Sequence, residues 1–359
     1  AWLRRPVEAH WRERLGVVFT ALEAALADDE PLGLDALEQT LLLQDLVADA
    51  ASAALPPAAP SQDALQERLQ RRIDRLARRG ELPLGAIGRR WQAQFLDLAQ
   101  PMLAQWQRWQ AEFAQPLTPQ RVQWPLKDAS DPPWLEDWLD GLRQSTDPAA
   151  PPAWLQLDAR RLTTTDGQDI VPLPDKLLGP WLRLCVAAAN GLPLQARVVG
   201  RDAALTLRAP DDDTARLVLA RLRWAWQQGQ RAPLPVALRT AMAWLTAGSE
   251  EAGAAAAERV YDGAPPLSRG EGEEAPLARL WPEWEALAEE PSPRADWPAE
   301  FAAAVSDPGE LALAPGFAAW AELLYGPLLA WASEHIEIAA LPSELTSNLA
   351  LAHEPGEGA

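Results

Sequence analysis

The chain has 359 residues, 48% of them apolar, and a formal net charge of −19. This length suits two packed lobes or one elaborated domain, and the apolar fraction is high enough for a real core, which argues against disorder. The acidic balance excludes a chain that coats nucleic acid over its whole surface, although a local basic face stays open.

No apolar run approaches the roughly 20 residues that span a membrane, and no secretory signal segment opens the sequence. The single cysteine, Cys185, excludes an intrachain disulfide framework. We therefore expect no membrane association and a cytoplasmic location. Because the sequence starts at Ala1 within a helical pattern, we also expect it to be part of a longer chain.

Residues 1–115 are predicted to be helical. An apolar stripe at helical spacing runs through LQERLQRRIDRL at 65–76, and a second stripe runs through 34–47. The proline-rich stretch 55–60 separates the two predicted helices.

One side of the helix predicted over 64–79 carries six arginines, and two more follow the bend after it. Like charges this close repel one another unless an anion, an acidic protein surface or water screens them. We predict a DNA-backbone contact here; the alternative is a solvated face, or one neutralised by the acidic loops after residue 246. The residues are Arg68, Arg71, Arg72, Arg75, Arg78, Arg79, Arg89 and Arg90.

The stretch LPLGAIG at 82–88 is predicted to bend the backbone between two helices. Pro83 fixes one backbone angle, and Gly85 and Gly88 supply the conformational freedom that a corner needs. The residues from Arg89 onward are predicted to form the first turn of the next helix. An ordinary helix–helix connection explains this stretch when it is considered alone.

Short apolar stretches bounded by proline, aspartate and glycine predict strands from residue 116 onward. They lie within 121–126, 134–144 and 153–162. A helix that stops at Gly191 is predicted next, then a β-hairpin around 200–202, and then a helix that ends at Gly229. This order predicts a small mixed sheet with helices packed on it, and hence a mixed α/β fold.

From about residue 246 the chain becomes rich in Ala, Glu, Gly and Pro. The stretch 246–258 is predicted as a poor helix, and 317–336 as a good one that Gly326-Pro327 must kink or split. We predict four regions: a helical segment over 1–115, a mixed sheet over 116–245, a loop-rich and helical segment over 246–345, and a loose tail over 346–359.

Two acidic residues on neighbouring predicted strands, Asp140 and Asp158, are the candidates for a metal-dependent nuclease centre. Such a centre also needs a lysine to stabilise the attacking hydroxide or the phosphate. Arg160 stands where that lysine would follow Asp158, and arginine holds its proton too tightly for the same role. The two lysines of the chain, neither at the required spacing after an acid, are Lys127 and Lys176. The pair therefore has the pattern of a site that has lost its chemistry.

The other candidates are weaker. Three histidines without metal-binding spacing predict no metal site, and the lack of a phosphate-binding loop predicts no cofactor in this domain. Cys185, among apolar residues of a predicted helix, is interpreted as a small packing residue. We expect most of the 18 tryptophans in the core and about a third of them facing protein partners.

Seven stretches occur in an order that points to one family. They are RRPVEAHWRERLGV (4–17), DDEPLGLDALEQTLLLQDLV (28–47), LPLGAIG (82–88), WLRLCVAAANG (181–191), APLPVALRTAMAWL (232–245), RLWPE (279–283) and YGPLLAW (325–331). Together they resemble the C-terminal domain of RecC, the gamma chain of exodeoxyribonuclease V in the RecBCD helicase–nuclease complex. The likeness covers nearly the whole chain.

The resemblance implies a PD-(D/E)XK nuclease-like core without a catalytic centre, flanked by N- and C-terminal helical segments. It implies a non-catalytic scaffold domain of an ATP-dependent complex that acts in double-strand break repair and homologous recombination. The implied partners are a RecB-type helicase/nuclease, a RecD-type helicase, and DNA as double-strand ends and separated strands. The domain itself is then expected to be inactive as an enzyme.

Two alternatives stay open. An active nuclease of the related AddB type would need an acid-x-Lys motif and a four-cysteine cluster, which one cysteine cannot supply. A protein-interaction module unrelated to DNA would bind no helicase. A cleavage assay and co-purification with a helicase distinguish these three functions.

Overall fold

The computed structural model of the chain describes residues 2–19, 33–52, 62–125, 134–147, 149–167, 169–264, 268–290 and 316–341. Helices and strands in these ranges form a mixed α/β fold around a six-stranded sheet, which confirms the mixed fold predicted from the order of elements. No helix among these residues is both long enough and apolar enough to cross a membrane.

Eleven helices lie in the described residues, after a short 3₁₀ turn at Trp2–Arg4. They are α1 (Pro6–Arg14), α2 (Ala36–Ser52), α3 (Gln62–Arg78), α4 (Gly85–Glu112), α5 (Pro174–Ala189), α6 (Asp212–Arg231), α7 (Leu238–Leu245), α8 (Glu250–Asp262), α9 (Ala275–Ala278), α10 (Trp284–Ala288) and α11 (Gly316–His335). The first four lie in the segment 1–115 that is predicted to be helical, and α2 and α3 coincide with its two amphipathic stripes.

Twelve strands lie in the same ranges. They are β1 (Gln115–Pro116), β2 (Gln120–Trp124), β3 (Leu135–Leu139), β4 (Leu142–Gln144), β5 (Ala153–Leu157), β6 (Thr163–Asp166), β7 (Asp169–Pro172), β8 (Gln195–Val199), β9 (Ala203–Arg208), β10 (Gly263–Ala264), β11 (Ser268–Arg269) and β12 (Ile336–Ala340). Three antiparallel pairs stand apart from the main sheet, namely β2 with β3, β6 with β7, and β10 with β11.

The main sheet has the strand order β1–β4–β5–β8–β9–β12. β5 and β8 are parallel, with Leu155 opposite Arg197, whereas the other neighbours are antiparallel. A parallel pair needs a crossover of a dozen or more residues, usually a helix, and the 16-residue α5 lies in this connection. The antiparallel β8–β9 pair confirms the predicted hairpin.

Each face of the main sheet has its own apolar core, because successive side chains along a strand point to opposite faces. On one face Val198 and Leu205 belong to a core that includes residues of α5, α6, α7 and α11. On the other face Leu155 and Val199 belong to a core built with α2, α3 and α4. Helices therefore cover both faces, which leaves the strand ends and the outer helical surfaces for interactions.

The apolar stripe predicted on α3 is buried, which confirms the orientation of this helix. Leu69 and Ile73 have no exposed surface, and Leu65 and Leu76 are at most 5% exposed. Burying an aliphatic side chain contributes roughly 2 kcal/mol relative to leaving it in water. The arginines of α3 consequently lie on its outer side.

Three details of the helices differ from the predictions. α6 continues beyond Gly229 to Arg231, and Gly229 instead makes room for an indole, since a Cβ there would lie 3.3 Å from Trp2 Nε1. α11 is one helix through Pro327, with buried residues on both sides of it, so the predicted split is absent. α4 begins at Gly85, so Arg89 lies in its second turn.

β12 and the β6–β7 pair are not predicted from the sequence. β12 follows the last residue of α11 directly, with no turn residue to mark the change of structure. It is held by antiparallel pairing with β9, Ile336 opposite Leu207, which local patterns cannot reveal.

The part of the chain after residue 246 contributes to the larger core. α8, predicted as a poor helix, is present, and the Ser249 hydroxyl caps it by accepting from the Ala252 N–H at 3.3 Å. Phe317 and Trp320 of α11 are almost fully buried in the same core as α5. The boundaries of the four predicted regions stay predictions, and 346–359 lies outside the described residues.

Candidate functional site

Asp158, one of the two candidate acids, follows the last residue of β5, and its side chain is 7% exposed. Its carboxylate accepts hydrogen bonds from Arg160 Nε at 2.8 Å, Arg160 Nη2 at 2.5 Å and the Arg160 backbone N–H at 3.0 Å. This is a bidentate, charge-assisted pair, among the stronger hydrogen-bond arrangements in proteins. A metal ion would have to displace the guanidinium to reach these oxygens.

The charge state of Asp158 follows from this pairing. Burial alone would raise the pKa of its carboxyl, but the hydrogen bonds and charge of Arg160 outweigh burial and hold the pKa below its ordinary value. The Lys176 ammonium, near the start of α5, lowers the pKa of Asp158 further. The carboxylate is therefore ionised at neutral pH, with protein cations already beside it.

Asp140, the other candidate acid, lies between β3 and β4 with its side chain 72% exposed. Its Oδ1 is 3.5 Å from Arg183 Nη1, and the Arg183 guanidinium carbon lies 4.4 Å from the centre of the Trp154 ring. β4 pairs with β5, Leu142 opposite Trp154, so Asp140 and Asp158 flank neighbouring strands. Each of the two carboxylates thus has an arginine of its own.

Other metal-binding or nucleophilic groups are not brought together within the described ranges, where no group of three or more His, Cys, Asp and Glu side chains could hold a metal ion. Nδ1 of the buried His10 lies 2.7 Å from the Gly229 carbonyl oxygen. Cys185 is fully buried, and burial raises the pKa of its thiol, which confirms its interpretation as a packing residue. Lys127 lies outside the described residues.

The corner between α3 and α4 depends on two glycines in different ways. Gly85 has a φ of +68°, in the left-handed region that glycine adopts without strain. Gly88 lies so close to Pro83 that a Cβ there would be 1.9 Å from the Pro83 carbonyl oxygen. Leu82 and Pro83 are buried under the corner, which fixes its position on the helical layer.

A groove of about 610 Å³ lies between α2 and α3, and half of the residues that line it are arginines. Five of the eight arginines predicted to contact DNA line it: Arg68, Arg71, Arg72, Arg75 and Arg78. Asp49 of α2 and Asp74 of α3 also line the groove. Arg79, Arg89 and Arg90 are exposed but are not part of its wall.

Carboxylates of α2 neutralise part of this charge. Arg72 Nη2 lies 2.5 Å from Asp45 Oδ2, and Arg75 Nη2 lies 4.0 Å from Asp49 Oδ2. Arg71 and Arg78 are exposed and form no ion pair with a residue that the structure describes. Among the described residues, the carboxylates that pair with these arginines are Asp45 and Asp49 of α2 and Glu81, which lies 3.7 Å from Arg79 Nη1.

The tryptophans serve the core more than the surface. Trp138 is 56% exposed, and the remaining tryptophans of the described residues are buried or half-buried. Trp224 stacks on Trp320 with ring centroids 5.6 Å apart. That about a third of the tryptophans face protein partners stays a prediction.

The fold is a mixed sheet covered by helices, with acids at the ends of neighbouring strands and an arginine-walled groove on the outer helices. The family model of the RecC C-terminal domain matches residues 1–249, more than half of the chain. The chain belongs to this family, as its sequence motifs indicate, and it is thus a domain of a RecBCD-complex subunit. No curated protein is found to match it.

Two electrostatic contacts near these sites cannot be predicted from spacing along the chain. Lys176 acts on Asp158 because α5 begins near the end of β5, which linear distance hides. Asp45 and Asp49 meet the arginines of α3 because α2 and α3 pack together. The four-residue spacing of these acids, on one face of α2, is the only signal of this pairing in the sequence.

Proposed function

We propose that the chain is a non-catalytic assembly domain of a RecBCD-type helicase–nuclease that acts in double-strand break repair and homologous recombination in the cytoplasm. In this role it holds RecB-type and RecD-type subunits and guides the separated DNA strands, while another subunit performs cleavage. The domain needs no cofactor for this role. The observation that carries the proposal is the Asp158–Arg160 pair.

The pair supports an inactive PD-(D/E)XK-like core for an electrostatic reason. A metal-dependent nuclease needs free carboxylates for the cation and a lysine for the reacting phosphate or hydroxide. Here Asp140 and Asp158 flank neighbouring strands, as such a core requires, but Arg160 occupies the lysine position and binds the adjacent acid. The Asp158 carboxylate and the Arg160 guanidinium, which stand where the metal-binding acid and the lysine would be, neutralise each other.

The arginines of α3 support the nucleic-acid part of the proposal. Arg71 and Arg78 are exposed, and Arg75 is only weakly paired with Asp49. They follow one another at helical spacing on the outer side of α3, so they can contact successive phosphates of one strand. Such contacts position DNA but read no sequence.

Two assays test the proposal. Linear DNA incubated with the purified domain and Mg²⁺ should stay intact, and degradation that stops with Asp140→Ala would contradict the inactive core. The domain should also co-purify with RecB-type and RecD-type subunits. A folded domain that associates with neither at micromolar concentration would contradict the assembly role.

A further inference from the structure

Two aliphatic side chains project into solvent at the corner between α3 and α4. Leu84 is 68% exposed and Ile87 is 46% exposed. Single exposed aliphatic residues are common on protein surfaces. These two differ because they are three residues apart at the start of α4, which places them side by side.

The backbone of the corner holds these side chains outward. Leu82 is 2% exposed and anchors the chain in the core just before the corner. Gly88 packs against the Pro83 carbonyl with no room for a side chain, so the first turn of α4 cannot rotate toward the core. Leu84 and Ile87 are therefore presented on a fixed support.

Arginines continue the same surface. Arg90 follows Ile87 by three residues and shares its side of α4, and Arg89 is its neighbour. Both are exposed, and neither forms an ion pair with a residue in the described ranges. The surface thus combines an apolar tip with two positive charges.

We propose that this corner, formed by Leu84, Ile87, Arg89 and Arg90, docks into an apolar recess edged by carboxylates on another protein subunit of the complex. The proposal rests on the assembly role proposed above. A protein recess fits better than a DNA backbone, because phosphates and sugars give the two aliphatic side chains nothing apolar to pack against. Arginine beside buried apolar contacts is also typical of protein–protein interfaces. Arg89 and Arg90 are then protein contacts and not the DNA contacts predicted from the sequence.

The test uses the full-length subunit that contains this domain, with purified RecB-type and RecD-type subunits as the two binding probes. Ile87→Ser removes the apolar contact without adding charge and should weaken binding of one partner about tenfold or more. Arg90→Glu should weaken binding of the same partner. Ile170→Ser is the matched control, because Ile170 is also an isoleucine that is 46% exposed, on β7, and this variant should bind both partners normally.

Each outcome has a distinct meaning. If the wild type binds its partners and both corner variants bind equally well, the docking role of the corner is overturned while the assembly role stands. If the wild type binds neither partner, the assembly role itself fails. If the corner variants lose DNA-end binding but keep both partners, the corner contacts nucleic acid and the proposal is overturned. The altered side chains are exposed, so the variants should melt at the wild-type temperature.

Discussion

The hydroxyl of Tyr325 donates a 2.9 Å hydrogen bond to the carbonyl oxygen of Leu3, a residue 322 positions earlier in the chain. Tyr325 is fully buried on α11, and Leu3 is 6% exposed in the turn that precedes α1. The start of the domain and its last long helix therefore share one core. The family match, which ends at residue 249, stops short of a structural boundary.

We expect a fragment that ends at residue 249 not to reach the native state. It would lose the buried side chains of α11 and leave β9 without its partner β12. Urea unfolding followed by near-ultraviolet circular dichroism should show no cooperative transition. In the full chain Tyr325→Phe should keep the transition and lower the free energy of unfolding by about 1–3 kcal/mol, because the Leu3 carbonyl loses its donor. A fragment that unfolds as cooperatively as the full chain would disprove this prediction.

Arg160→Ala should lower the free energy of unfolding by about 1–3 kcal/mol at pH 7, because the Asp158 carboxylate loses its main partner. The pKa of Asp158 is lower in the folded protein than in the unfolded chain, where it is about 3.9. The stabilisation is therefore fully present above the unfolded pKa and is lost as the pH falls through the folded pKa.

The measurement is urea unfolding of the wild type and Arg160→Ala between pH 7 and pH 3. The difference in the free energy of unfolding between the two proteins should be constant near pH 7 and should become smaller toward pH 3. Arg183→Ala is the control, since its partner Asp140 is largely exposed and the pair contributes little. A difference that stays the same at pH 3 would show that Asp158 is not the group involved.

Reversing Arg71, Arg75 and Arg78 to Glu in the assembled complex should weaken binding to DNA ends and flatten its salt dependence. Each phosphate contact that is lost should reduce the slope of log K against log salt by about 0.9 for duplex DNA. The matched control reverses three other surface arginines, Arg108, Arg231 and Arg269, and keeps the net charge change the same. Equal affinities and slopes for the two triple variants would show that the arginines of α3 form a solvated surface and do not contact DNA.

Gly88→Ala should lower the free energy of unfolding more than Gly85→Ala does, although both glycines lie at the same corner. A Cβ at Gly88 would lie 1.9 Å from the Pro83 carbonyl oxygen, so the backbone must shift. We expect the free energy of unfolding to fall by more than about 2 kcal/mol. A Cβ at Gly85 meets nothing within 4 Å and adds only the left-handed backbone penalty of about 1–2 kcal/mol. Urea unfolding of both variants measures the difference, and a larger cost at Gly85 would refute it.

The helices of the first 115 residues can be predicted because their apolar stripes are local and regular, as the burial of Leu69 and Ile73 shows. The β8–β9 hairpin can be predicted for the same reason, since its turn lies between its two strands. β12 cannot be predicted in this way, because its partner β9 lies far away in the sequence.

The candidate site can likewise be predicted from the sequence only in part. The arginine at position 160 in place of a lysine can be read directly from the sequence, and it lies only two residues from Asp158, with which it forms hydrogen bonds. The effect of the Lys176 charge on Asp158 depends instead on where α5 begins in the fold. The sequence predicts that most tryptophans lie in the core, but only packing shows which rings, such as Trp320, fill it.

The pairing of β9 with β12 has a consequence for synthesis on the ribosome. Arg208 of β9 and Glu337 of β12 form an ion pair between the two strands and are 129 positions apart in the chain. At 5–20 residues per second, the ribosome needs on the order of 10 s to make the intervening chain. During that time β9 has an open edge, and open strand edges pair readily with other chains. The yield of folded protein should therefore depend on translation speed and on chaperones, because the edge of β9 stays unpaired until β12 has been made.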